Sequence, residues 1–144
     1  MTSNMDPLSA VIAIVQISAQ VLSLCQTYYV EVKSVREDIR RLRDEVTSLL
    51  DVLANIRDLT DAPGSAKLSS LELLNQPDGH IQQCRIELEG LAMKLDTGQG
   101  KNNMRQFGLR ALKWPFSRKE VDKAILAIGR HKEIFNLALT TDTT

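Results

Sequence analysis

Residues 32–56 read VKSVREDIRRLRDEVTSLLDVLANI. Val32, Val35, Ile39, Leu42, Val46, Leu49, Leu53 and Ile56 recur at spacings of 3-4-3-4-3-4-3. That rhythm lays one apolar seam along one side of a helix, as in a coiled coil. The remaining positions are rich in charge, and Glu37–Arg41, Arg40–Asp44 and Arg41–Glu45 stand four apart. Pairs at that spacing support an exposed helical face. The helix should stop before Asp61-Ala-Pro-Gly-Ser, a cluster of turn-forming residues.

Immediately upstream, Pro7–Val30 (PLSAVIAIVQISAQVLSLCQTYYV) carries no charge between Asp6 and Glu31. Asp6 can cap the free N–H groups of a helix that has Pro7 at its first position. Such a helix would be roughly 36 Å long, comparable to the ~30 Å hydrocarbon core of a bilayer. It should end or bend around Tyr28–Val32. Ser9, Gln16, Gln20, Ser23 and Thr27 fall on one narrow uncharged polar stripe, and most of the other positions are apolar, Ser18 and Gln26 excepted. A helix of this kind can serve as the core of a bundle or can enter a membrane. The expected resting place is the core, packed by the seams of the other helices and burying about a dozen aliphatic side chains.

Downstream, a short helical turn is expected over Leu68–Leu74, followed by a break at Pro77-Asp78-Gly79. A third helix carries Ile81, Cys84, Leu88, Leu91 and Leu95, again spaced 3-4-3-4, and stops at Thr97-Gly98-Gln99-Gly100. Ser117 and Glu120 make a capping box for a last helix. That helix offers Val121, Ala124, Ile125, Ile128, Phe135 and Leu139 to a core. The fold class is therefore all-α: an antiparallel four-helix bundle with one or two additional short helices, the N-terminal hydrophobic helix central or partly so. Residues 1–5 are expected to be an extension, 6–139 the bundle domain, and 140–144 a polar linker.

The 144 residues suffice for one domain with a sizeable core. Its 43% hydrophobic and 4% aromatic content makes that core mainly aliphatic. Seven glycines and four prolines are few for an all-β chain. Cys25 and Cys84 both lie on apolar stripes, as buried free thiols do in a reducing compartment. The first residues, MTSNMD, lack the basic n-region of a secretory signal, and the apolar run exceeds a signal's h-region. An intracellular protein is expected.

Catalytic patterns are missing. The two histidines, His80 and His131, follow no nucleophile motif. His80 and Cys84 share a helix face, but two ligands make no zinc site. Gly98-Gln-Gly-Lys101 lacks the first glycine and the Ser/Thr of a phosphate loop, with Leu95 and Asn102 in those places. Neither an enzyme, a metal site nor a cofactor is expected.

Net charge is zero overall but is unevenly spread: −5 over residues 1–100 and +5 over 101–144. Lys101, Arg105, Arg110, Lys113, Arg118, Lys119, Lys123, Arg130 and Lys132 surround Trp114 and Phe116. Interleaved cations and aromatics suit an anionic lipid surface, where each Lys or Arg is worth about 1 kcal/mol. A solvated face whose Trp and Phe plug the end of the bundle explains the same residues. Nucleic acid is the weaker alternative.

The start Met5-Asp-Pro-Leu-Ser-Ala-Val11, the stretch Val35-Arg-Glu-Asp-Ile-Arg-Arg-Leu42 and the block Leu112-Lys-Trp-Pro-Phe-Ser-Arg-Lys-Glu-Val121 together resemble the HeLo-like N-terminal domain of fungal NLR-type (STAND) signal-transducing NTPases. The resemblance covers roughly Met5–Leu139. It implies a helical-bundle executor of programmed cell death in fungal innate immunity and heterokaryon incompatibility. The family is compared with the bundle of the mixed-lineage-kinase-like pseudokinase and with plant resistance-protein coiled-coil domains. The implied partners are anionic membrane lipids, further copies of the chain on activation, and a C-terminal nucleotide-binding receptor module or an amyloid-motif signalling partner. The implied location is the cytoplasm at rest and the plasma membrane when active.

The inserting helix implied by the resemblance falls on Leu8, Val11, Ile12, Ile14, Val15, Ile17, Val21, Leu22 and Leu24. Arg105, Arg110, Lys113, Arg118, Lys119 and Lys123 are the candidate anionic-lipid ligands, with Trp114 and Phe116 as interface aromatics. Gln16, Gln20 and Gln26 disfavour a lone spanning helix and favour insertion as an oligomer. A non-lytic interaction module that oligomerises or recruits a partner is the competing reading.

Overall fold

A computed structural model describes residues 7–61, 79–98 and 113–143. These residues form four helices: α1 Pro7–Glu31, α2 Arg36–Asp61, α3 His80–Gly98 and α4 Arg118–Thr143. Among the described residues there is no strand. The expected turn at Leu68–Leu74 lies outside them. α4 runs through Thr143, past Leu139, so most of the expected C-terminal linker is helical.

The helices pack side by side, and their pairings are uneven. α1 lies against α2 and α3, α2 also against α4, while α3 and α4 touch only thinly. The seam of α2 is the spine: Ile39, Leu42, Val46, Leu49, Leu53 and Ile56 are all buried. Val32 and Val35 begin the same rhythm before the helix starts and pack partly buried against the core. α3 contributes Ile81, Cys84, Leu88 and Leu95, and α4 contributes Val121, Ile128 and Phe135.

α1, expected to be central or partly so, packs against two of the other three helices. It buries Val11, Ile14, Ser18, Val21, Cys25 and Tyr28, a seam with its own 3-4-3-4-3 spacing. Ser9, Ile12, Gln16, Ala19, Gln20, Ser23, Gln26 and Val30 face outward. Of its aliphatic side chains, Ala10, Val11, Ile14 and Val21 are fully covered and Val15, Ile17, Leu22 and Leu24 partly so, fewer than the dozen expected. The reason is that α1 has two substantial neighbours, α2 and α3, rather than three. Its polar stripe turns to water because amide and hydroxyl groups lose more on burial than the small apolar side chains beside them.

The charged face of α2 also differs in detail. The i,i+4 pairs give way to Arg40–Glu37 at 2.7 Å and Arg41–Asp38 at 3.4 Å, both three apart. Arg41 also reaches Asp122 of α4 at 2.6 Å, and Glu45 takes Lys132 of α4 at 3.0 Å. Once α4 is alongside, its charges compete with those on the same helix. Buried Asp38 is also 3.4 Å from Arg118, the first residue of α4.

The capping box forms as its residues predict. The Ser117 N–H donates to Glu120 Oε1 at 2.9 Å, and the Glu120 N–H donates to Ser117 Oγ at 3.1 Å. Two of the orphan donors at the start of α4 are thereby satisfied reciprocally.

Candidate membrane-acting surface

Two features make up the candidate surface: an apolar helix with an uncharged outside, and a set of cations without an ion-pair partner among the described residues. Within Ser9–Glu31 of α1, an 18-residue window has a mean hydropathy of 1.6, and one third of that window is buried within the fold. By length and composition this helix could cross a bilayer. Val11, Ile14 and Val21 point into the core, and Val15, Ile17, Leu22 and Leu24 pack partly buried against it. Ile12, at 38% exposure, sits on the outer face. Leu8 lies within α1, and its side chain is outside the described set.

α1 is held by specific contacts as well as by its seam. The Tyr28 hydroxyl bonds to the Leu95 carbonyl of α3, and the Trp114 ring meets Tyr28 edge-on at 5.2 Å. The guanidinium carbons of Arg36 and Arg43 lie 5.0 and 4.9 Å from the centroid of the Tyr29 ring, cation–π contacts that tie the end of α1 to α2. Ser18 works in the other direction, because its Oγ is buried without a hydrogen-bond partner.

Of the expected lipid ligands, Arg105 and Arg110 fall outside the described residues. Lys113, Arg118, Lys119 and Lys123 are exposed. Arg118 is engaged by Asp38, whereas Lys113, Lys119 and Lys123 have no ion-pair partner among the described residues, and Arg130 joins them. Four of the six cations without an ion-pair partner among the described residues thus lie on α4 and the segment leading into it, the other two being Lys33 and Arg36. Trp114 is 8% exposed and Phe116 half-buried, with their rings edge-on at 5.2 Å. The pair packs against the fold, Trp114 on the Tyr28 ring of α1 and Phe116 beside Lys94 of α3.

The cysteines take no part in surface chemistry. Burial pushes the thiols of both Cys25 and Cys84 up to about 12, against an ordinary 9.0. They are free and buried. No group of three or more His, Cys, Asp or Glu placed to hold a metal occurs among the described residues.

One feature the sequence reading missed is His131, at 3% exposure. Its Nε2 lies 2.9 Å from Glu87 Oε1, a hydrogen-bonded contact between α4 and α3. The ring stacks on Phe135 and meets His80 edge-on. The signal was available: Ile128, His131 and Phe135 continue the 3-4 rhythm of α4. Comparison with protein-family models, with curated proteins and with solved structures gave no match.

Proposed function

We propose that this chain is a HeLo-like cell-death execution domain of a fungal NLR-like receptor. It rests as an antiparallel four-helix bundle with one or two further short helices. On oligomerisation it targets and permeabilises membranes through its first helix. Anionic lipids, further copies of the chain, and a receptor or amyloid-motif signalling module are its partners; it rests in the cytoplasm and acts at the plasma membrane. It is not an enzyme.

The observation that carries this reading is the partial attachment of α1. A long uncharged helix lies against two neighbours and leaves its polar stripe outside. Its buried large side chains, at ~1.5–3 kcal/mol each, hold it in place. Transfer to hydrocarbon replaces one apolar surrounding with another, so that term largely cancels. What remains to be offset is the lost packing, the Tyr28–Leu95 bond and the insertion of Gln16, Gln20 and Gln26. Clustered copies help on both counts. Their glutamines can face one another, and the unneutralised α4 cations of many copies bind an anionic surface together.

The test is dye release from vesicles with and without anionic lipid, using the chain fused to a forced-oligomerisation tag. Ile12→Glu is the informative variant, because its side chain is on the outer face. The same change at buried Ile14 would unfold the bundle. Anionic-dependent release that Ile12→Glu abolishes while retaining helicity supports insertion. Release by a folded Ile12→Glu chain overturns it. No release from the clustered wild type transfers the function to protein interaction alone.

A further inference from the structure

α4 presents one row of exposed side chains to the outside: Lys119, Lys123, Leu126, Arg130, Glu133 and Leu137, spaced 4-3-4-3-4. Positions so spaced share one face of a helix. Leu126 is 71% and Leu137 68% exposed. They stand about 16 Å apart along the axis, with Arg130 between them.

Tertiary pairing makes this row basic. α4 also carries Glu120 and Asp122, but Lys94 of α3 takes the first and Arg41 of α2 the second. Arg118 and Lys132 are turned to Asp38 and Glu45 of α2. Lys119, Lys123 and Arg130 have no ion-pair partner among the described residues, and Glu133 is the one carboxylate of the row. Two leucines among three uncompensated cations form the pattern of a helix that lies in the interface of an anionic bilayer. A second exposed apolar pair lacks that complementarity. Ile86 and Met93 of α3 are as exposed, but Glu89 and Asp96 stand three residues on from each, with the charge that anionic head groups repel.

We infer that the folded chain docks on an anionic bilayer through this outer row of α4. Leu126 and Leu137 enter the head-group boundary, and Lys119, Lys123 and Arg130 meet the anionic head groups. This docking rests on the membrane reading for its partner but needs neither clustering nor the departure of α1. α1 shares no substantial contact with α4, so docking leaves the seam of α1 with α2 and α3 in place. The leucines add what the cations lack: charge draws the chain to any polyanion, whereas an apolar side chain gains only where it can leave water.

The test is sedimentation of the untagged chain with vesicles of phosphatidylcholine, alone or mixed with phosphatidylserine. The expected result is binding to the mixed vesicles without dye release. Leu126→Gln combined with Leu137→Gln should weaken binding about ten-fold with unchanged helicity. Changing Lys119, Lys123 and Arg130 together to Gln should weaken it on the order of a hundred-fold. Ile12→Glu, and Ile86→Gln combined with Met93→Gln, should bind as the wild type does. Absence of binding to the mixed vesicles overturns the docking, as does a folded leucine variant that binds like the wild type. An equal loss from the α3 pair would mean general adhesion and overturn the assignment to α4. A duplex oligonucleotide bound more tightly than the vesicles, whatever the leucines, would give the cations to nucleic acid and overturn it too. Docking is read in the pellet and insertion in the dye, so failure of one is distinguishable from failure of the other.

Discussion

The hydroxyl of Tyr28 in α1 donates a 2.5 Å hydrogen bond to the main-chain carbonyl of Leu95 in α3, sixty-seven residues later. α3 ends at Gly98, so Leu95 contributes one of the last four carbonyls, which have no partner within their own helix. A side chain of one helix thus caps another. The contact is buried, and Trp114 packs edge-on against the same ring.

Tyr28→Phe keeps the ring and deletes the bond. The expected cost is about 1 kcal/mol, because the Leu95 carbonyl is left in a buried site. Thermal unfolding should shift down by a few degrees with unchanged helicity. If α1 is the element that leaves, the variant should also release vesicle dye at a lower degree of clustering. An unaltered melting temperature would show that the carbonyl finds water instead.

Ser18 should respond in the opposite sense. Its hydroxyl is buried in the α1 seam with no partner, while alanine has the better helix propensity and no polar group to desolvate. Ser18→Ala is expected to raise stability by about 1 kcal/mol, read by urea unfolding at constant m value. A stability loss would mean that the hydroxyl is satisfied in solution.

Glu120 gives a pH dependence with a defined sign. The Lys94 ammonium and the Ser117 N–H hold its carboxyl at about 2, below the ordinary 4.5. A group depressed on folding stabilises the fold above its unfolded value and ceases to as pH falls through its folded one. The loss therefore runs from about 4.5 down to about 2. Glu120→Gln retains the capping-box geometry and removes the charge. The melting temperature of the wild type should exceed that of the variant near neutral pH, and the gap should close across this window. A gap that persists at the acid end would assign the effect to geometry rather than charge.

The two buried thiols provide a probe of opening. With Cys25 and Cys84 both raised to about 12, thiolate is scarce at neutral pH, and neither sulfur is accessible. Labelling by a maleimide should be slow in the native chain and fast in urea. In a Cys84→Ala background, Cys25 alone reports the departure of α1 from the rest of the bundle. Rapid native labelling would contradict the described burial.

The seam of α2, the capping box of α4 and the seams of α3 and α4 were legible in the sequence. Each rests on a local rule: apolar spacing near 3.6, or a hydroxyl and a carboxyl three residues apart. The outer polar stripe of α1 was legible too, since Ser9, Gln16, Gln20 and Ser23 line up without any neighbour to refer to. Periodicity alone left open how much of the apolar remainder was covered, because α1 is apolar nearly all round.

Sequence by itself determined the helices, their buried stripes and the uneven distribution of charge, because these depend on residues within a turn or two of one another. Tertiary structure decided which helices touch, and with that the rest. It leaves α1 two substantial neighbours, takes Arg41 and Glu45 to α4, and pairs Arg118 with Asp38 while leaving Lys123 without an ion-pair partner among the described residues. Such choices are made between segments far apart in the chain. They turn on packing and on competition among charges, and no single helix contains both partners.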